Sequence, residues 1–162
     1  MAVADYAGDL GIVLYLAGVP AGITYIDRKG VVQNASTLSN VYATMPISVD
    51  TAQIYAGLAD ALTLFCRLDF DQATSITIKV EQQYENDPVR IDAGWMLTQT
   101  VRQDTGVVLS EQVFLSPGAG TQLYVAVQTA SAYVAGRLRI SAKAAGAGLT
   151  ANDRVEIAIK CL

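Results

Sequence analysis

The sequence predicts an all-β fold, an antiparallel β-sandwich or barrel in a single domain, with an extended N-terminal arm. Three observations predict it. From Leu62 onward apolar and polar side chains alternate in run after run, turn-forming Gly, Pro, Asn, Asp and Ser separate the runs, and no segment carries a convincing long helical period. At 162 residues the chain is long enough to bury one core without disulfides or a structural metal.

The elements follow in order. Residues 10–21, LGIVLYLAGVPA, are the most hydrophobic run. Asp5 and Asp9 precede it with no basic residue, which argues against a secretory leader. Gly11, Gly18 and Pro20 interrupt a run already too short to span a membrane. It reads as a buried strand or part of the arm. The first 46 residues hold scattered glycines and the polar run QNASTLSN, so 1–46 is assigned to an arm with the first strands, packed with or exchanged between subunits, and 47–162 to the β domain. Asn34 opens an Asn-Ala-Ser sequon, read as chance in the absence of a leader. Residues 50–62 hold helix formers, but Gly57 counts against a helix there.

In ALTLFCRLDF, Leu62, Leu64, Cys66, Leu68 and Phe70 share one face and Thr63, Phe65, Arg67 and Asp69 the other. DQAT turns the chain, after which Ile76, Ile78 and Val80 point inward and Thr77, Lys79 and Glu81 outward, so residues 61–83 are expected to form a hairpin. Asn86, Asp87 and Pro88 make YENDPVRIDAG a loop. Strands are expected at 95–101, 106–115, 121–129 and 133–143, and a last one, RVEIAIKCL, follows the glycine-rich AAGAGLTAND, expected to be flexible. The total is about eight to ten strands.

Composition limits function. Charged residues are 16% of the chain and hydrophobic ones 52%, while a monomer of this size exposes roughly 7,800 Å². Such a surface normally carries more charge, which points to coverage by other protein subunits. A net charge of −4 argues against nucleic acid as a partner, and none is expected. Arg137, Arg139, Lys143, Arg154 and Lys160 alternate with apolar residues and read as solvated strand faces.

The chain has no histidine, which removes the usual general base and the commonest metal ligand. Asp69 and Asp71, and Glu85, Asp87 and Asp92, fit neither a glycosidase pair nor a calcium-loop spacing and are read as solvated loops. Neither an enzymatic activity nor a cofactor or metal is expected. The GAG triplets at 118–120 and 146–148 precede strands, so they read as turns and not as phosphate cradles. Trp95 shares a phase with Leu97 and Val101 and reads as core, with a sugar-stacking platform as the alternative. Cys66 and Cys161 fall on apolar phases and read as buried thiols, a disulfide being open if their strands are neighbours. Tyrosine favours interfaces, and Phe65, Tyr124 and Tyr133 are the expected contact residues, with Tyr84 noted.

The stretch LTLFCRLDFDQATSITIKVEQQYENDPVRID, the tryptophan strand after it and the late LYVAVQTASAYVAGRLRISAKAAG hairpin together resemble the small all-β virion proteins of tailed bacteriophages, in particular capsid decoration or cement proteins and related head or tail accessory proteins. The likeness spans roughly residues 60–162 and rests on strand patterns. It implies a sandwich or jelly-roll fold and a homo-oligomer, often a trimer. It further implies a place on the capsid surface against the major capsid protein, after synthesis in the host cytoplasm, with no membrane contact and no catalytic residues. A neck, tail or fibre component and, from another class, a carbohydrate-binding β-sandwich module stand as alternatives.

Overall fold

The computed structural model describes residues 12–18, 24–26, 32–34, 36–45, 54–55, 62–83, 95–130 and 137–161. Among these there is no helix. Strands form two largely antiparallel sheets and a separate small hairpin. In chain order they are β1 (Ile12–Ala17), β2 (Thr24–Ile26), β3 (Val32–Asn34), β4 (Ser36–Thr37), β5 (Ala43–Thr44), β6 (Ile54–Tyr55), β7 (Leu62–Phe70), β8 (Ser75–Gln83), β9 (Trp95–Thr98), β10 (Thr100–Arg102), β11 (Val108–Leu109), β12 (Glu111–Leu115), β13 (Thr121–Thr129), β14 (Arg137–Ala145) and β15 (Arg154–Cys161).

The larger sheet runs β11-β10-β13-β7-β15-β1-β4, antiparallel except where β1 meets β4. The smaller runs β12-β8-β14-β5, with β9 added on β8 and β6 on β14, while among the described residues β2 pairs β3 alone. The strongly hydrophobic β1 lies inside its own chain's sheet, between β15 and β4. Within residues 50–62 the described pair Ile54–Tyr55 is extended and bonded to β14.

Alternation sets which faces meet. Leu62, Leu64, Cys66, Leu68 and Phe70 of β7, Val125 and Val127 of β13, Val155, Ile157 and Ile159 of β15 and Leu14 and Leu16 of β1 are buried on one side of the larger sheet. They join one core with Ile76, Ile78, Val80, Phe114, Leu138 and Ile140 of the smaller sheet. A side chain such as Leu64, wholly buried, contributes about 2–5 kcal/mol by the cost of truncating it to alanine.

The expected hairpin over 61–83 does not form. β7 belongs to the larger sheet and β8 to the smaller, so DQAT carries the chain across the core. The reason lies in the turn: the backbone N–H groups of Asp71, Gln72 and Ala73 donate to a single side-chain oxygen, Oδ1 of Asp153, at 2.8, 2.9 and 2.8 Å, and not to a β-ladder. The late hairpin fails in the same manner, because β13 pairs β7 and β10 whereas β14 pairs β8.

The expected strands 95–101 and 106–115 are each broken by one residue. At Gln99 the chain passes from the smaller sheet to the larger, and at Ser110 it returns. Thr98 stands opposite Val80 and Glu111 opposite Lys79, consecutive positions of β8, so β9 and β12 fill one lane along β8. The β10–β11 hairpin is an excursion from that lane onto the edge of β13. Buried Gln112 holds its base, its Nε2 donating to the carbonyls of Thr100 at 3.0 Å and Val107 at 3.1 Å. These breaks, and the short pairings of residues 12–55, raise the strand number above the expected eight to ten.

The loop expected to be flexible, 146–153, is fastened at several points. Asp153, 0% exposed, also accepts from the N–H of Thr150 at 2.8 Å. Thr150 Oγ1 donates to Asp71 Oδ2 at 2.5 Å, and Gly18 N–H donates to the Asp153 carbonyl at 2.8 Å. Gly146 takes φ +136°, and a Cβ there would lie 2.6 Å from the Gln72 carbonyl oxygen, so the turn and the loop close only over a glycine.

Candidate functional site

Two of the three expected contact residues come together. Phe65 of β7 lies on the outer face of the larger sheet with Ala126 of β13 and Ala158 of β15 as its cross-strand neighbours. Tyr124 stands one position along, opposite Arg67, which in turn faces Glu156. The alanines do not fill the space beside the ring, and a shallow depression of about 400 Å³ results, lined by Phe65, Tyr124, Ala126, Ala158, Arg67 and Glu156. Phe65 is 47% exposed and Tyr124 68%. The Tyr124 hydroxyl donates to Gln122 Oε1 at 3.0 Å, which holds the ring over the sheet. Tyr133, the third expected residue, lies outside the described residues, as do Tyr84, Glu85, Asp87 and Asp92.

Arg67, Asp69 and Arg154 beside this face are paired with one another. Arg67 Nε lies 3.1 Å from Asp69 Oδ1 and Arg154 2.9 Å from Asp69 Oδ2. Asp69 and Asp71 thus have protein donors, and among the described residues no three acidic or cysteine side chains gather as a metal centre. Cys66 sits beneath the depression, where burial pushes its thiol up to about 12, away from reactivity. Its strand does neighbour that of Cys161, but the register opposes Cys66 to Ile157. Cys161 is therefore four residues farther along β15, roughly 13 Å at the usual strand rise and too far for a disulfide.

The outer face of the smaller sheet carries a different pattern. Glu81, expected to point outward, does so yet is only 7% exposed, because Arg139 closes on it with Nε and a terminal nitrogen, each at 3.1 Å, and Lys79 lies 3.3 Å away. Burial opposes the Glu81 charge, and the Arg139 and Lys79 partners outweigh it, holding the carboxyl below the ordinary glutamate range. Arg139 also covers the Trp95 ring at 4.3 Å, and Tyr42 lies under Lys79 at 4.3 Å and Lys143 at 4.6 Å while donating its hydroxyl to Glu111 at 2.5 Å.

Two sequence expectations change here. Trp95 is half-buried on this outer face and is not core, since β9 pairs β8 so that Trp95 opposes Gln83 and Leu97 opposes Glu81. Arg139 and Arg154 are partnered and not merely solvated, because each opposes an acid across the ladder, Glu81 and Asp69 respectively.

One surface was missed altogether. Of the eleven large apolar side chains exposed among the described residues, Val107, Val108 and Leu109 lie on or beside β11, Val113 and Leu115 on β12, and Met96 and Leu97 on β9. All seven belong to the lane along β8 and its excursion. Their exposure follows from strand order, since β11 and β12 are each the last strand of a sheet. The alternation of VFL in EQVFL, with Phe114 buried and Val113 and Leu115 outward, was the available signal. Comparison with protein-family models, with curated proteins and with solved structures returned no match.

Proposed function

We propose that this chain is a non-enzymatic structural protein of a virion, a capsid decoration or cement protein that oligomerises and braces the major capsid protein at the capsid surface. The observation that carries the reading is the Phe65–Tyr124 depression, an exposed aromatic face floored by alanines in a chain with 16% charged residues. Aromatic side chains beside a small-residue hollow are the anchors on which protein contacts concentrate their energy. In this reading the two sheets are a jelly-roll-like sandwich to which residues 1–46 contribute β1, β4 and β5. Stabilisation of a shell then works by mass action, many modest contacts adding over the lattice. Arg139 occupies one face of Trp95, which weighs against the carbohydrate-binding alternative.

The test is co-sedimentation of the purified protein with shells assembled from the major capsid protein, together with the shells' melting temperature. Binding that raises the melting temperature with protein concentration is expected. Phe65→Lys and Tyr124→Ala each weaken binding about 10-fold or more with an unchanged circular dichroism spectrum. A folded wild-type protein that does not associate with the shells overturns the reading.

A further inference from the structure

We propose that a second copy of this chain pairs antiparallel on the free edge of β12, extending the smaller sheet across a two-fold axis. The inference rests on the oligomeric reading above and names a surface distinct from the Phe65–Tyr124 face. β12 has β8 on one side and, among the described residues, no strand on the other. Edge strands that stay single are blunted by lysine, proline or a bulge. β12 reads Glu-Gln-Val-Phe-Leu and carries none of these inside its span. It instead presents Val113, 46% exposed, and Leu115, 73% exposed, on one face, opposite Thr77 and Ser75 of β8.

Charge and pattern select the occupant. From Thr105 to Leu115 the one ionised side chain is Glu111, and its Oε1 accepts from the Tyr42 hydroxyl. The nearest cation, Arg102 over the Phe114 ring, is paired with Asp104, so an acidic or basic strand would find no unpaired complementary charge along this edge. A copy of the same strand suits it, because antiparallel pairing about Phe114 sets Val113 of one chain beside Leu115 of the other and Gln112 beside Ser116. Each Glu111 then falls opposite Pro117 and not opposite its own counterpart, so two chains of net charge −4 meet without like charges in register. Phe114 is fully buried in each protomer beneath its own Arg102, whose guanidinium lies 4.9 Å from the ring centroid, so the contact between copies falls to the exposed Val113 and Leu115. A contact that is its own complement closes as a dimer, where the resemblance to decoration proteins implies a trimer, and so separates the two symmetries.

The experiment compares wild type with the Val113→Lys/Leu115→Lys double variant by sedimentation equilibrium, and follows amide exchange of residues 111–115 from low to high micromolar protein. Both side chains are exposed, so the variant keeps its fold, checked by circular dichroism and by Cys66 staying unreactive. Pairing predicts a wild-type dimer, slower exchange at 111–115 as concentration rises, and self-association weakened on the order of 100-fold in the variant. The Phe65→Lys protein keeps the dimer while losing shell binding. Wild type that oligomerises with exchange at 111–115 independent of concentration, or a double variant that associates as tightly as wild type, overturns the pairing and leaves the structural-protein reading standing. A wild-type monomer that still binds shells also overturns the pairing alone, and one that does not bind overturns both.

Discussion

A carboxylate buried among backbone donors differs in kind from a surface aspartate. At Asp153 burial by itself would raise the pKa, yet the N–H groups of Thr150, Ala73, Asp71 and Gln72 together hold the group below the ordinary aspartate range. Replacing it with alanine leaves those donors without an acceptor inside the fold, and the expected loss is about 3–4 kcal/mol, read from the denaturant midpoint. The pH dependence follows from the direction of the shift. A depressed folded-state pKa means that the contribution is complete above the unfolded value of about 4 and is lost as pH falls through the folded value. Asp153→Ala is therefore expected to flatten the acid limb of the stability profile as well as to lower its plateau. Asp153 was not legible in the sequence: within AND it reads as one more turn residue, and three of its four donors lie 80 to 82 positions earlier.

At the scale of elements, the sequence showed where strands lie better than how they join. Thr121–Thr129 matches its expected bounds, and the inward and outward phases of β7 and β8 are as the alternation requires. Two amphipathic strands around a four-residue turn, however, suit a hairpin and a crossing between sheets equally well. The outcome depends on whether the turn amides find a ladder or a distant acceptor, and Asp153 supplies the acceptor. The bends at Gln99 and Ser110 were hidden for a related reason, since a single residue suffices to change sheets when a buried amide can cap the freed carbonyls. Gln112 does that work. Gln112→Ala is expected to cost about 2 kcal/mol and to speed amide exchange across residues 100–109 more than in β13, a pattern that exchange monitored by mass spectrometry resolves.

For the molecule as a whole, the order of strands decides both stability and surface. β15, the last strand in the chain, lies between β7 and β1 in the larger sheet. Its removal would break two ladders and take the core residues Val155, Ile157 and Ile159 out of the fold. A chain ending before Arg154 is expected to be insoluble or unfolded, which expression and circular dichroism would decide. The exposed area of 8102 Å² is close to the roughly 7,800 Å² expected for a monomer of this mass, so the shortage of charge is spread over an ordinary surface. Phe65 was legible as outward from alternation and Tyr124 from the preference of tyrosine for interfaces, whereas the β12 edge was not, because being last in a sheet is a property of topology and no local pattern encodes it.

The detour of β10 and β11 has a practical corollary. The neighbours of β8 are complete whether or not the chain wanders between Thr98 and Glu111, and the tip from Gln103 to Gly106 points into solvent. A foreign peptide spliced between Asp104 and Thr105 should therefore ride on the scaffold without disturbing it. That tip is thus a ready mount for an epitope, with the unfolding midpoint of the fusion as the check.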